Sequence, residues 1–359
     1  MKIGLVIYGR LDTLTGGYLY DHRMVTTLEQ RGHEVAVVRL PAVHYPLRRT
    51  LDRLSQWIAA RIPDGLDLLI QDELCHPSLI RLNAERRGLG CPVFTIVHQV
   101  LCDEPRASWR NRRLRLTEKR YLDGVDGFIF NSRTTRDTVW NLTAADRPHV
   151  VAPPGGDRFE PRPTPRTIAL WAQDSGPLRL LFLGNLIPRK GLLPLIDALA
   201  RLPRGAWTLR VAGRVDMDRT YVRRVRRALW NRGVADRVQL LGPREGPLLV
   251  DDLARAQVLC MPYAYEGFGM ATLEAQGFGL PVIGCRAGAT RELVDDGISG
   301  YLVNPGDHAA VRRAVADLHR DRTALAEMSL AARRRFDDHP TWEASMGSLA
   351  SFLEGSLAP

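Results

Sequence analysis

Long apolar runs are missing from this 359-residue chain. No stretch approaches the roughly 18 consecutive apolar residues that a bilayer-crossing helix requires, and a strand-like run begins at Ile3, so a cytoplasmic protein is expected. Cysteine is scarce. Cys75, Cys91, Cys102, Cys260 and Cys285 are odd in number, scattered and without metal-ligand spacing, which argues against a disulfide framework and against zinc. No internal repeat or low-complexity tract occurs, and no G-x-G-x-x-G follows the first strand, which counts against a nicotinamide-dependent dehydrogenase. Lysine is nearly absent: only Lys2, Lys119 and Lys190 stand among 50 basic residues, the rest being arginine.

What is present is a surplus of positive charge, net +10. It is spread evenly, with 23 basic against 18 acidic residues through residue 158 and 27 against 22 beyond it. A nucleic-acid binder concentrates such charge on one face with aromatics interleaved, so no nucleic-acid partner is expected. The arginine-rich stretch 106–121, with Trp109, Leu114, Leu116 and Tyr121 as apolar members of a helical pattern, reads either as a solvated face or as a peripheral contact with an anionic membrane at its inner face.

Short apolar runs alternate with amphipathic helical patterns throughout, the signature of βαβ units and parallel sheets. Strands are expected at 2–8, 34–40, 66–70, 93–97, 127–130 and 149–152, then at 179–183, 208–212, 238–241, 257–261, 281–284 and 300–303. The fold class is therefore α/β, with two Rossmann-like doubly wound domains. Proline- and glycine-rich composition at 153–157 and 161–166 places the linker, giving domains at 1–157 and 158–340. A final amphipathic helix is expected over 341–359, after the Pro340 break.

Three segments carry candidate chemistry. Tyr265-Glu266-Gly267-Phe268-Gly269-Met270 follows a strand and enters an apolar helix that contains Glu274, setting two carboxylates eight residues apart around a glycine-rich turn. Such a turn offers backbone N–H groups at a helix start, and a helix carboxylate can accept from two vicinal hydroxyls. Alone, this spacing is a loop glutamate and a solvated one. Leu183-Gly184-Asn185-Leu186-Ile187-Pro188-Arg189-Lys190-Gly191 brings two adjacent cations to a strand end before another apolar helix, a position suited to a diphosphate, and no acidic partner for them is evident. Thr15-Gly16-Gly17-Tyr18 follows the first strand, where paired glycines let a backbone approach a phosphate or simply form a loop. His98 closes the fourth strand, as a structural residue or a sugar contact.

Together these motifs resemble the retaining glycosyltransferases of the GT-B fold, family 4 (glycosyl transferases group 1). The likeness is densest where the Glu266/Glu274 element is followed by Gly-Leu-Pro-Val-Ile-Gly at 279–284, Ala-Gly-Ala-Thr-Arg-Glu-Leu-Val at 287–294 and Asp-Gly-Ile-Ser-Gly-Tyr-Leu-Val at 296–303. The resemblance implies that a nucleotide-diphosphate sugar, UDP- or GDP-linked, binds the second domain and a saccharide or lipid-linked acceptor the first. It also implies that the final helix packs on the first domain. By the same resemblance Glu266 contacts donor-sugar hydroxyls, Gly267, Phe268, Gly269 and Met270 supply backbone contacts, and Glu274 binds the ribose. Lys190 and Arg189 neutralise the diphosphate, Gly16 and Gly17 approach it, and His98 contacts the transferred sugar. One departure is Asn185, where the family often has arginine. No Asp-x-Asp triplet falls in a plausible site, so neither a metal nor another cofactor is expected to be required. A nucleotide-sugar 2-epimerase of the same architecture, and a non-catalytic nucleotide-binding protein, are the competing readings.

Overall fold

The computed structural model describes residues 1–359 apart from 13–14, 87–90, 105–107, 144–145, 264 and 358–359. Arg106, which opens the arginine-rich stretch, therefore lies outside the described residues. The chain divides into two compact units, Met1–Gly155 with Pro340–Pro359, and Gly156–His339.

In the first unit the strands are β1 (Lys2–Tyr8), β2 (Glu34–Leu40), β3 (Leu68–Asp72), β4 (Val93–Val97), β5 (Gly127–Phe130) and β6 (His149–Val151). They form one parallel sheet in the order β2-β1-β3-β4-β5-β6. β1, β3, β4 and β5 are buried almost without interruption, which is why β1, β4 and β5 read as largely apolar runs rather than alternating ones. β3 lies two residues later than the expected 66–70. Asp67 exchanges bonds with the start of β1, its N–H donating to the Lys2 carbonyl at 2.9 Å and its carboxylate accepting from the Lys2 N–H at 2.7 Å. The strand then extends through the polar Gln71 and Asp72, and Gln71 is tolerated in the core because its amide pairs reciprocally with that of Asn83 at 2.8 and 3.0 Å.

The helix Trp342–Ser356 belongs to this unit, capped by the Thr341 hydroxyl accepting from the Ala344 N–H at 3.2 Å. It lies against the helix Gly16–Gln30. The Trp342 ring meets Tyr20 edge-on at 6.1 Å, and Glu354 accepts from Arg31 at 3.2 Å and bonds His33 at 2.9 Å.

The second unit holds β7 (Leu178–Leu183), β8 (Trp207–Ala212), β9 (Val238–Gly242), β10 (Val258–Met261), β11 (Val282–Cys285) and β12 (Gly300–Val303). All pairings are again parallel, in the order β12-β11-β10-β7-β8-β9. Trp207 is fully buried, and its indole N–H donates to the Leu199 carbonyl at 2.9 Å. Successive strands step outward from β7 to β9, then the chain returns to build β10 to β12 on the other side. Neighbouring β7 and β10 thus send their connections in opposite directions, and a crevice opens at their carboxyl ends. Both sheets have the doubly wound α/β form expected from the sequence.

Removing the indole of the buried Trp342 deletes its ring contact with Tyr20 of Gly16–Gln30. Trp342→Ala is expected to lower the unfolding free energy of the first unit by about 3–5 kcal/mol, read as a lower denaturation midpoint in guanidinium.

Candidate active site

The crevice between β7 and β10 is where the sequence-predicted residues of the second unit converge. After β7 the chain turns at Gly184 and makes a short 3-10 turn, Pro188–Lys190, before the helix Leu192–Leu199. After β10 it runs through residues 262–269 into the helix Met270–Gly277. Lys190 Nζ donates to Glu266 Oε1, so the lysine expected to stand opposite no acid is ion-paired to the glutamate of the neighbouring loop. That partner was invisible in sequence because the two are 76 positions apart. Both side chains are partly accessible, Lys190 at 15% and Glu266 at 20%. Arg189 turns toward the same loop, Nη1 donating to the Tyr265 carbonyl at 3.4 Å.

The Glu266 backbone is fixed from a third direction. It forms an isolated parallel bridge with Gly288, and its carbonyl accepts from the Ala289 N–H at 2.9 Å. Gly288 has φ +82°, and a Cβ there would stand 2.5 Å from the Glu266 carbonyl oxygen, so only glycine permits this approach. The segment 287–290 thus sets where Glu266 sits. Gly269, at φ +104°, lets the chain turn into the helix Met270–Gly277, and Phe268 packs its ring 5.7 Å from that of His339. Gly267 to Met270 therefore lead directly into the first helical turn, where N–H groups lack intrahelical partners. Asn185 has a partner of its own: its Oδ1 accepts from the Arg214 N–H at 3.3 Å.

Glu274 is buried, 7% exposed, and its Oε1 lies 3.3 Å from Arg158 Nε. Burial pushes its carboxyl up to about 7, against the pull of the Arg158 guanidinium. Nothing in the sequence marks Arg158, which follows the linker with no motif around it.

Gly16, Gly17 and His98 belong to the first unit and meet within it. Thr15 caps the helix Gly16–Gln30, its hydroxyl accepting from the Tyr18 N–H at 3.4 Å, so both glycines lie in the first turn. His98 Nε2 bonds Asp21 Oδ1 of that helix at 2.9 Å. Burial opposes the charged imidazole, yet the Asp21, Asp72 and Glu73 carboxyl groups outweigh it and hold His98 up at about 9. Burial, aided by Asp21, lifts Asp72 to about 7, and burial lifts Glu73 to about 8. Two clusters here, Asp21/Asp72/His98 and Glu73/His76/Glu118, bring donor atoms within 4.8 Å of one another, as a metal centre would. Three of their four ring nitrogens are already hydrogen-bonded. His98 Nε2 holds Asp21, while His76 Nδ1 bonds the Glu73 carbonyl at 3.0 Å and Nε2 the Tyr45 hydroxyl at 2.9 Å. Neither cluster is assigned to a metal.

Residues 177–321, which hold β7 to β12, match the family described as "Glycosyl transferases group 1". The GDP-mannose-dependent alpha-(1-6)-phosphatidylinositol monomannoside mannosyltransferase of Mycobacterium tuberculosis is 31% identical over 334 residues, covering 89% of this chain and 81% of that one. The chain belongs to the group 1 glycosyl transferases. A D-inositol 3-phosphate glycosyltransferase of Geodermatophilus obscurus is 31% identical over 249 residues, and there the match spans 65% of this transferase but only 53% of the relative. Among solved structures, sucrose-phosphate synthase of Thermosynechococcus elongatus superposes with a TM-score of 0.81 at 21% identity, over 99% of this chain and 98% of that one. Anabaena HepE, solved in complex with UDP-glucose, gives 0.73 at 21% identity over 99% and 100%. These likenesses show the GT-B fold.

In this transferase the raised Glu274 carboxyl links stability to pH. Its folded pKa of about 7 lies above the ordinary value of 4.5 for an exposed glutamic acid, so the folded state holds the proton more tightly. The stabilisation is complete below the lower value and is lost as pH rises through the upper one. Glu274→Gln is expected to flatten part of the fall in stability between these two values, measured by urea denaturation at stepped pH. An unaltered slope contradicts the buried-carboxyl reading.

Proposed function

We propose that this chain is a retaining hexosyltransferase that moves a hexose from a nucleotide-diphosphate sugar to a hydroxyl of a saccharide or lipid-linked acceptor. The observation that carries the reading is the Lys190–Glu266 pair at the β7/β10 crevice, beside a glycine-rich helix start and with Glu274 one turn deeper. A nucleotide-diphosphate sugar carries matching chemistry along its length. Lys190, with Arg189, answers the diphosphate, Glu266 the sugar hydroxyls, the amides of residues 267–270 the oxygens between them, and Glu274 the ribose diol. Gly16 and Gly17 are assigned to the diphosphate and His98 to the transferred sugar.

The rate acceleration follows from where charge develops. As the bond between the anomeric carbon and the phosphate oxygen breaks, negative charge gathers on the diphosphate and positive charge on the ring. A fixed cation at the phosphate is therefore worth more in the transition state than in the ground state. A charge-assisted bond contributes about 1.5–3 kcal/mol, against about 0.3–1 kcal/mol for a helix terminus, so Lys190 and Arg189 dominate. In a retaining reaction the acceptor attacks the face that the diphosphate leaves, and a phosphate oxygen there takes the acceptor's proton. No side-chain base is then needed. The phosphatidylinositol-linked acceptor of the mycobacterial relative and the UDP-glucose of HepE support trying GDP-mannose and UDP-glucose first, in a thermal-shift panel of nucleotides and nucleotide sugars.

Lys190→Ala is expected to lower kcat by about 100- to 1000-fold while leaving the circular dichroism spectrum unchanged. A folded variant with full activity sinks the assignment.

The acceptor side motivates a second reading of the helix Ser108–Leu122. Trp109 and Leu116 are 56% and 61% exposed and lie two turns apart on one face, with Arg110, Arg112, Arg113, Arg115 and Arg120 exposed around them. No helix among the described residues is long and apolar enough to cross a membrane. This helix instead suits peripheral contact with anionic lipid, each basic residue contributing about 1 kcal/mol near the surface. Binding to vesicles containing phosphatidylserine at low salt, released at high salt and weakened in Trp109→Ser/Leu116→Ser, is the expected result. Equal binding to neutral vesicles contradicts it.

A further inference from the structure

Behind His98 stands a side chain that no motif singles out. Asp21 lies in the second turn of the helix Gly16–Gln30, with no solvent exposure, and its Oδ1 meets His98 Nε2 at 2.9 Å. Its Oδ2 is buried and has no hydrogen-bond partner among the described residues. The ring is enclosed on several sides. Tyr20 meets it edge-on at 5.4 Å, the Gly17 backbone lies so close that an added Cβ would stand 3.4 Å from its Cδ2, and Asn131 Nδ2 donates to the His98 carbonyl at 2.9 Å. The titratable groups facing it are Asp21 from the helix and Asp72 and Glu73 from the end of β3, with Tyr18 close to Asp21 and Asp72.

A carboxylate taken wholly out of water is costly unless a cation answers it. Here the nearest cationic candidate is the imidazole. Because the carboxylate can only accept, Nε2 must carry a hydrogen, and Nδ1 then carries one only when the ring is charged. The pairing therefore fixes both the orientation of the ring and what its other nitrogen can do.

We propose that Asp21 is a positioning residue, anchoring His98 through Nε2 and holding it as an imidazolium whose Nδ1–H is the donor offered to the transferred sugar. This rests on the assignment of His98 to the sugar made above. Asp21 touches neither donor nor acceptor. Its effect passes through the ring, and it appears in kcat and its pH dependence rather than in KM.

Asp21→Asn keeps shape and hydrogen-bonding capacity while deleting the charge. In protein labelled with 15N-histidine, with the His98 resonance assigned by its loss in His98→Gln, the titration midpoint of His98 is expected to fall by about 1–3 pH units. At a fall of two units, kcat at pH 8 drops about tenfold and recovers toward pH 6, with donor KM little changed. Asp21→Glu, which retains the charge, restores most of the alkaline activity. An unchanged His98 midpoint in Asp21→Asn overturns the proposal, as does a lowered midpoint with an unaltered pH–rate profile. Full activity in His98→Gln overturns the assignment of His98 to the sugar instead, and the titration, which needs no substrate, keeps the two failures apart.

Discussion

Neighbouring strands whose connections leave in opposite directions cannot be covered by the same loop at their carboxyl ends, and every group assigned to the donor in the second unit depends on that constraint. β7 and β10 are such a pair, and their following loops deliver Lys190 and Glu266 to one point. The sheet brings together residues 76 positions apart, and the β11-following segment then locks the second of them through Gly288 and Ala289. The meeting of Lys190 and Glu266 is thus a property of strand order before it is a property of either side chain.

The parallel strands are readable because both faces of each central strand are buried, which writes β5 and β10 as unbroken apolar runs and β1 and β4 as runs broken only by Lys2 and Thr95. β3 lies later than its apolar run because it ends on the polar Gln71 and Asp72, whose burial depends on partners such as Asn83 that only the fold reveals. The glycine-rich turn and its two glutamates were legible from spacing, since a helix start and a carboxylate one or two turns in are local features. The ion pair between Lys190 and Glu266 was not. Nor were Arg158 beside Glu274 and Asp21 beside His98, for a contact across a crevice or from a helix to a strand end leaves no periodic trace.

Electrostatics within each unit are arranged by burial more than by number of charges. The chain carries 50 basic residues, yet most of its arginines line surfaces or salt bridges, and a single lysine faces Glu266. Asn185, at a position where the family often has a cation, spends its carbonyl on the Arg214 backbone instead. Positive charge at this crevice therefore comes from the 3-10 turn Pro188–Lys190, whose short, proline-started backbone limits how far Arg189 and Lys190 can wander.

The helix Trp342–Ser356 leans on Gly16–Gln30, whose first turn holds Gly16 and Gly17 and whose second holds Asp21. This helix is thus a splint for the element that begins beside His98. Anyone preparing this protein should place an affinity tag or a fusion partner with that in mind: crowding Glu354 or Leu353 disturbs a strut whose far end carries glycines assigned to a phosphate, and a loss of activity would masquerade as a defect in chemistry.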